Sequence, residues 1–278
     1  ADRVYTTSND GKLLEWTSNG VKGDVPRVLA TGLGAVHQVD VSHDGTSLAI
    51  ASRDGGAFIL TRGAPGAATP APPRLLAHLG GEKGPDWYQE AVFSPDDERV
   101  ATADRDGTVR LWRSDGIGSP ELLRGHAHVP ALLAFSRDGR SLVSGSETGL
   151  AIIWPIGREG GPVKLAGHKG WLGSVTFDGS STRVLTGSGD TTARIWNLDG
   201  SLERTLTGHQ AGVIDARFTP DGKSVTTASL DGTARLFPLD GSPPLVLRGH
   251  SSAVVEAHQS PRGGLIATAS HDRTVRLW

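Results

Sequence analysis

Three stretches of the sequence carry histidine, serine and aspartate at one fixed spacing: His168, Ser188 and Asp190; His209, Ser229 and Asp231; His250, Ser270 and Asp272. These are the parts of a hydrolytic triad, in which an aspartate orients a histidine that takes the proton of a nucleophilic hydroxyl. A fourth stretch offers His126 and Ser146, with Thr148 where the others place aspartate. A catalytic triad is needed once, in a cleft. A set that recurs along the chain is instead a device for building a repeated unit, so no catalytic residue is assigned.

Other chemistries find less support. The chain has ten histidines and no cysteine, which removes thiolate catalysis, disulfides and cysteine metal sites together. The four spaced histidines belong to different units, and His126 with His128 is a lone His-x-His, so no metal and no cofactor is expected. There is no glycine-rich phosphate loop, no acidic calcium loop and no basic run. With a formal net charge of −2, the chain lacks the field that gathers nucleic acid or an anionic membrane. No apolar run has the ~20 residues needed to span a bilayer as a helix.

The elements that must position these residues follow from a repeat. The endings TTSNDGKLLEW, IASRDGGAFIL, TADRDGTVRLW, SGSETGLAIIW, TGSGDTTARIW, TASLDGTARLF and TASHDRTVRLW close at Trp16, Leu60, Trp112, Trp154, Trp196, Phe237 and Trp278. A period of 20–50 residues marks a repeat architecture. Within each unit, short alternating runs rich in β-branched and apolar residues are broken by Asp-Gly or similar turns, the grammar of a small antiparallel sheet. In residues 126–154 the runs ALLAFS and SLVSGS flank the turn RDG, the turn ETG leads into LAIIW, and PVKLAG follows as a fourth run. A sheet this small must stack on its neighbours, and radial stacking of four-stranded units makes a propeller.

Over essentially its whole length the chain resembles the WD-repeat propellers. The resemblance rests on the closing tryptophans and on Gly125-His126, Gly167-His168, Gly208-His209 and Gly249-His250, each histidine 28 residues before its closing aromatic. It implies an all-β, seven-bladed propeller of four-stranded antiparallel blades. The single domain spans 1–278, with blade ends near Trp16/Ala30, Leu60/Leu76, Trp112/Arg124, Trp154/Ala166, Trp196/Thr207, Phe237/Arg248 and Trp278. The first blade is expected to lack its inner strand and the last its outer strand, so that upstream residues of a longer protein close the ring; a larger or second ring is the alternative. The resemblance also implies a buried relay in each blade, from aspartate through histidine and a Ser/Thr hydroxyl to the indole. Its members would be His126, Ser146, Trp154; His168, Ser188, Asp190, Trp196; His209, Ser229, Asp231; and His250, Ser270, Asp272, Trp278.

Two tryptophans close no unit. Trp87 and Trp171 align just before the first strand of their units, a place that the resemblance puts on the top rim beside the central channel. Exposed aromatics there are binding anchors, although packing against an adjacent loop is the competing role. Arg53, Arg105, Glu147 and His271 precede the turn acid or its replacement and are assigned to the same rim, with Gln89, His37 and Ile214. The expected function is a non-catalytic interaction platform for a protein or peptide partner, acidic or phosphorylated if Arg53 and Arg105 choose it. An enzyme using the channel is the alternative, with nucleic-acid binding third and disfavoured. Arginine outnumbers lysine 22 to 6, which suggests a bacterium with a G+C-rich genome and, by resemblance, the cytoplasmic sensor or scaffold arm of a larger signalling protein whose other domains are further partners.

Overall fold

A computed structural model describes residues 3–17, 25–33, 35–52, 56–61, 74–76, 90–104 and 106–278. Among them every regular element is a strand, and no helix is long and apolar enough to cross a membrane. Two compact units divide the chain, Ala1–Leu133 and Ala134–Trp278.

In the first unit, β1 (Arg3–Thr7), β2 (Leu13–Thr17) and β3 (Arg27–Ala30) form a three-stranded sheet in that order. The second sheet takes β4 (Val36–Val41), β5 (Ser47–Ser52), β6 (Ala57–Thr61) and β7 (Arg74–Leu76). The third takes β8 (Ala91–Phe93), β9 (Arg99–Ala103), β10 (Thr108–Arg113) and β11 (Glu121–Arg124). The boundary between the units falls within β12 (Pro130–Phe135), the first strand of the sheet completed by β13 (Ser141–Ser146), β14 (Ala151–Pro155) and β15 (Val163–Leu165).

The second unit continues with β16 (Leu172–Phe177), β17 (Arg183–Ser188), β18 (Ala193–Asn197) and β19 (Leu202–Leu206) as the fifth sheet. The sixth is β20 (Val213–Phe218), β21 (Ser224–Ser229), β22 (Thr233–Pro238) and β23 (Leu245–Arg248). The seventh has three strands, β24 (Val254–Gln259), β25 (Ile266–Ser270) and β26 (Val275–Leu277). Neighbouring strands pair antiparallel, as in β17 with β18, where Val184 faces Trp196.

Period-2 alternation explains where the apolar side chains go, since successive residues of a strand point to opposite faces. In the second sheet Leu48, Ile50 and Leu60 pack with Leu13 and Leu29 of the first, while Ala49, Ala51, Ala57 and Ile59 receive Phe93, Val100 and Trp112 of the third. The second sheet is thus buried on both faces, and its small residues make room for the closing aromatic of the third. The same interleaving joins Leu185, Ile195 and Leu206 to Val225 and Phe237, and Ala228, Ala234 and Leu247 to Val254 and Ile266.

The turn between the second and third strands explains the Asp-Gly phrase. Gly107, Gly149 and Gly232 hold φ of +80°, +83° and +80° there, a left-handed conformation open to glycine. In the fifth and seventh sheets Thr191 and Arg273 hold the equivalent position at +72° and +68°.

Candidate functional site

The repeated His and Asp come together, but the hydroxyl between histidine and indole is not the one assigned from sequence. In the fifth sheet His168 Nδ1 lies 2.8 Å from Asp190 Oδ2, and His168 Nε2 lies 2.8 Å from Thr186 Oγ1. The Trp196 indole donates to the same Thr186 oxygen at 2.9 Å. Ser188, two residues on, instead donates to the Gly170 carbonyl and accepts from the Asp190 amide. In the sixth sheet Thr227, not Ser229, takes the hydroxyl role beside His209 and Asp231, and in the seventh it is Thr268, not Ser270, between His250 and Trp278. Ser229 and Ser270 donate to the Ala211 and Ser252 carbonyls. The reason is reach: the indole of a closing Trp meets the hydroxyl ten residues earlier, as Trp16 meets Thr6, Trp112 meets Thr102 and Trp154 meets Ser144. Ser146 accordingly serves its own turn, against Thr148 and the Leu150 carbonyl. The signal was present in the sequence, since Ile50 stands ten residues before Leu60, the one closing position that is not aromatic.

Proton directions follow from the partners. A carboxylate only accepts, so His168 donates through Nδ1, leaving Nε2 to accept from the Thr186 hydroxyl, which accepts from the indole. Burial lowers the His168 and His209 pKa values despite the adjacent carboxylates. Burial raises the carboxyls of Asp190 and Asp231, but hydrogen bonds, first from Thr192 and Thr233 and then from His168, His209 and backbone amides, outweigh it and bring both to about 2. The result is a neutral imidazole against an ionised aspartate. The order Thr–His–Asp has the connectivity of a hydrolytic triad, yet Thr186 and Thr227 are fully buried, so neither hydroxyl can meet a substrate.

The third sheet builds its equivalent differently. Asp104 is buried in an ion pair with Arg110, 2.7 Å away, which also reaches Asp106 at 2.8 Å. No group of three or more metal-ligating side chains is placed to hold an ion among the described residues.

Of the residues assigned to the rim, Trp87, Gln89, Arg53 and Arg105 lie outside the described residues, as does the side chain of His37, which is in β4. Glu147, His271 and Trp171 are exposed and Ile214 is half-buried. Trp171 occupies a shelf made of glycines. A Cβ on Gly189 would stand 2.5 Å from the indole Nε1, one on Gly173 2.8 Å from Cζ3, and one on Gly212 3.0 Å from Cζ2. Any larger residue at Gly189 would have to displace the ring. The indole so placed remains 37% exposed, and Leu230, whose Cδ1 approaches the Gly212 side of the shelf, is 45% exposed.

Main-chain bonds fix this surface. The Gly189 amide donates to the Trp171 carbonyl at 2.8 Å, the Leu230 amide to Gly212 at 2.9 Å, and the His271 amide to Ala253 at 2.9 Å. The residue before the first strand and the residue before the turn acid are thereby held side by side in each of these sheets. The fifth sheet places Trp171 beside Gly189 and the sixth Gly212 beside Leu230, so the large side chain of one lies over the small residue of the next.

A search of curated proteins returned no match. The family described as WD domain, G-beta repeat matches residues 87–113, 120–155, 162–197, 200–237 and 241–278. Domains of this family typically mediate protein–protein interaction or scaffolding and are typically non-catalytic. With five matched repeats covering most of its length and seven antiparallel sheets that correspond to the blades, the chain belongs to the WD-repeat family and has its seven-bladed propeller fold.

Proposed function

We propose that this chain is a non-catalytic platform that receives a protein or peptide partner on the surface carrying Trp171 and Leu230. The observation that supports this most directly is the indole on its glycine shelf. Three positions with no bulky side chain of their own, Gly173, Gly189 and Gly212, surround an aromatic left more than a third exposed. An exposed aromatic that is rigidly held suits an anchor, because little side-chain entropy remains to be lost on binding. Glu147 and His271 on the corresponding turns would tune the partner's charge, and Arg53 and Arg105 would favour an acidic or phosphorylated one.

The test compares two leucines of like exposure. A photo-crosslinking residue at Leu230 should capture a partner from cells of the source organism, whereas the same residue at Leu202, 47% exposed on β19, should not. Trp171→Ala should abolish the Leu230 crosslink with far-UV circular dichroism unchanged. Equal capture at both positions, or capture indifferent to Trp171→Ala, would show that the partner uses another surface.

A further inference from the structure

Between the first strands of the sixth and seventh sheets, apart from the Trp171 surface, sits a cluster of ionisable groups. Asp215 on β20 is buried, and its carboxylate takes the Arg217 Nε at 3.1 Å and the Ala257 amide of β24 at 3.4 Å. His258 Nε2 lies 3.9 Å from the Asp215 Oδ2 and 3.8 Å from Glu256 Oε2. The two basic side chains are nevertheless half in solvent, Arg217 at 49% and His258 at 46%. One buried carboxylate therefore faces an exposed guanidinium and an exposed imidazole from below.

We propose that Arg217 and His258 form an acid-gated seat for a single anionic group, a carboxylate or a tetrahedral oxyanion, with Asp215 as the gate. When Asp215 is ionised it is itself the anion of the seat, and the cluster holds one cation, Arg217, against two anions, Asp215 and Glu256. Once Asp215 takes up a proton, the cluster loses one of its two anions, and the exposed donors of Arg217 and His258 can turn to an external ligand. The protonated Asp215 can still accept the Ala257 amide through its carbonyl oxygen, so the packing of β20 on β24 is kept.

The surroundings favour this gate. Burial raises the Asp215 carboxyl, outweighing the opposing pull of Arg217, the Ala257 amide and His258. Of the other strands against β20, β16 and β21 bring no ionisable side chain, and β24 brings only Glu256 and His258. On β17 the one charged residue, Arg183, is committed to Asp178 at 3.1 Å and Glu203 at 3.4 Å and lies over the Phe218 ring. The seat is independent of Trp171 and stands or falls apart from it.

Sulfate is the probe, because its charge stays constant over the range, with chloride used to hold ionic strength. The full chain should bind sulfate on the order of tenfold more tightly at about pH 5.5 than at about pH 7.5, as expected when a negative charge within ~4 Å vanishes. Binding should shift the Arg217 Nε and His258 ring resonances and draw protons from the buffer, visible as a buffer-dependent heat. Asp215→Asn, which keeps an acceptor for the Ala257 amide, should tighten binding at the higher pH several-fold (~3–10). Arg217→Gln and His258→Gln should each lose most of the binding at the lower pH. Acetate in place of sulfate tells a carboxylate seat from an oxyanion seat, and a preference for either supports the proposal. An Asp215→Asn protein with unchanged affinity at the higher pH would overturn it. So would sulfate binding that survives the Arg217→Gln/His258→Gln double variant. Should Asp215→Asn fail to fold, the Arg217→Gln result at low pH decides.

Discussion

Replacing Thr186 with valine tests the relay at its centre. The side chains are nearly isosteric, so the change removes a hydroxyl without opening a cavity. It strands two buried groups at once, the Trp196 indole N–H and the His168 Nε2, both bonded to that oxygen. Each buried polar group left without a partner costs about 1–3 kcal/mol, which puts Thr186→Val at roughly 2–4 kcal/mol after partial relaxation. Thr186→Ser keeps the oxygen and gives up one methyl group, a loss of about 1 kcal/mol. With a urea dependence of a few kcal/mol per molar, the valine variant should unfold about 1 M earlier than the parent and the serine variant much less so. A double-mutant cycle then isolates the pair. Trp196→Phe removes the indole donor, so valine should cost about 1 kcal/mol less in that background. The chain already contains the fully apolar alternative, Ile50 and Leu60, both completely buried in the second sheet. Equal midpoints for Thr186→Val and Thr186→Ser would refute the reasoning, since the hydroxyl would then carry no net stability.

Three further outcomes follow from the same geometry. Thr191 is a β-branched residue at φ +72° where the first, third, fourth and sixth sheets have glycine, so Thr191→Gly should stabilise by up to about 1 kcal/mol, measurable as a raised urea midpoint. Gly208 has φ +125° and a Cβ there would stand 2.5 Å from Arg235 Nη1, so Gly208→Ala should cost ~1–3 kcal/mol, partly recovered when Arg235 is shortened to glutamine. Stability should fall in two stages on acidification. His168 and His209 sit below the ordinary imidazole value of 6.5, so the stability they support is complete above 6.5 and is lost as pH drops through their lowered values; Asp190 and Asp231 support stability that is present above 3.8 and lost toward about 2. A melting temperature level from about pH 7 to about pH 3 would contradict the first stage.

The sheets were legible because their signal is periodic. Closing aromatics, Asp-Gly turns and alternating runs each recur in most units, so an ambiguous run such as IASRDGGAFIL inherits its reading from clearer ones. The relay was legible in its ends and wrong in its middle. His168 and Asp190 are fixed by motif spacing, but Ser188 and Thr186 lie on the same strand two residues apart and point to the same face. Sequence spacing to the turn favours Ser188, and only the reach of the indole across the β17 and β18 pairing selects Thr186. Asp215 escaped notice for a different reason: its partners Ala257 and His258 come from the next repeat, and one of them is a backbone amide that no side-chain pattern records.

The surface around Trp171 shows how an array of like units can acquire an unlike site. Across the fifth to seventh sheets the residue before the first strand is Trp171, Gly212 or Ala253, and the residue before the turn acid is Gly189, Leu230 or His271. Neither position takes part in the relay, so the fold leaves both free to vary. They are coupled only to each other, through the main-chain bond that holds them together and through the side chain of the neighbouring sheet. Trp171 requires that Gly189 be small, and its ring then reaches Gly212, which being small leaves Leu230 standing beside the indole. A bulky residue at Gly212 would close the shelf, and a bulky residue at Gly189 would push the indole off it. The apolar surface is therefore set by the order of large and small residues in two consecutive repeats, while the Asp, His and Thr beneath them stay the same.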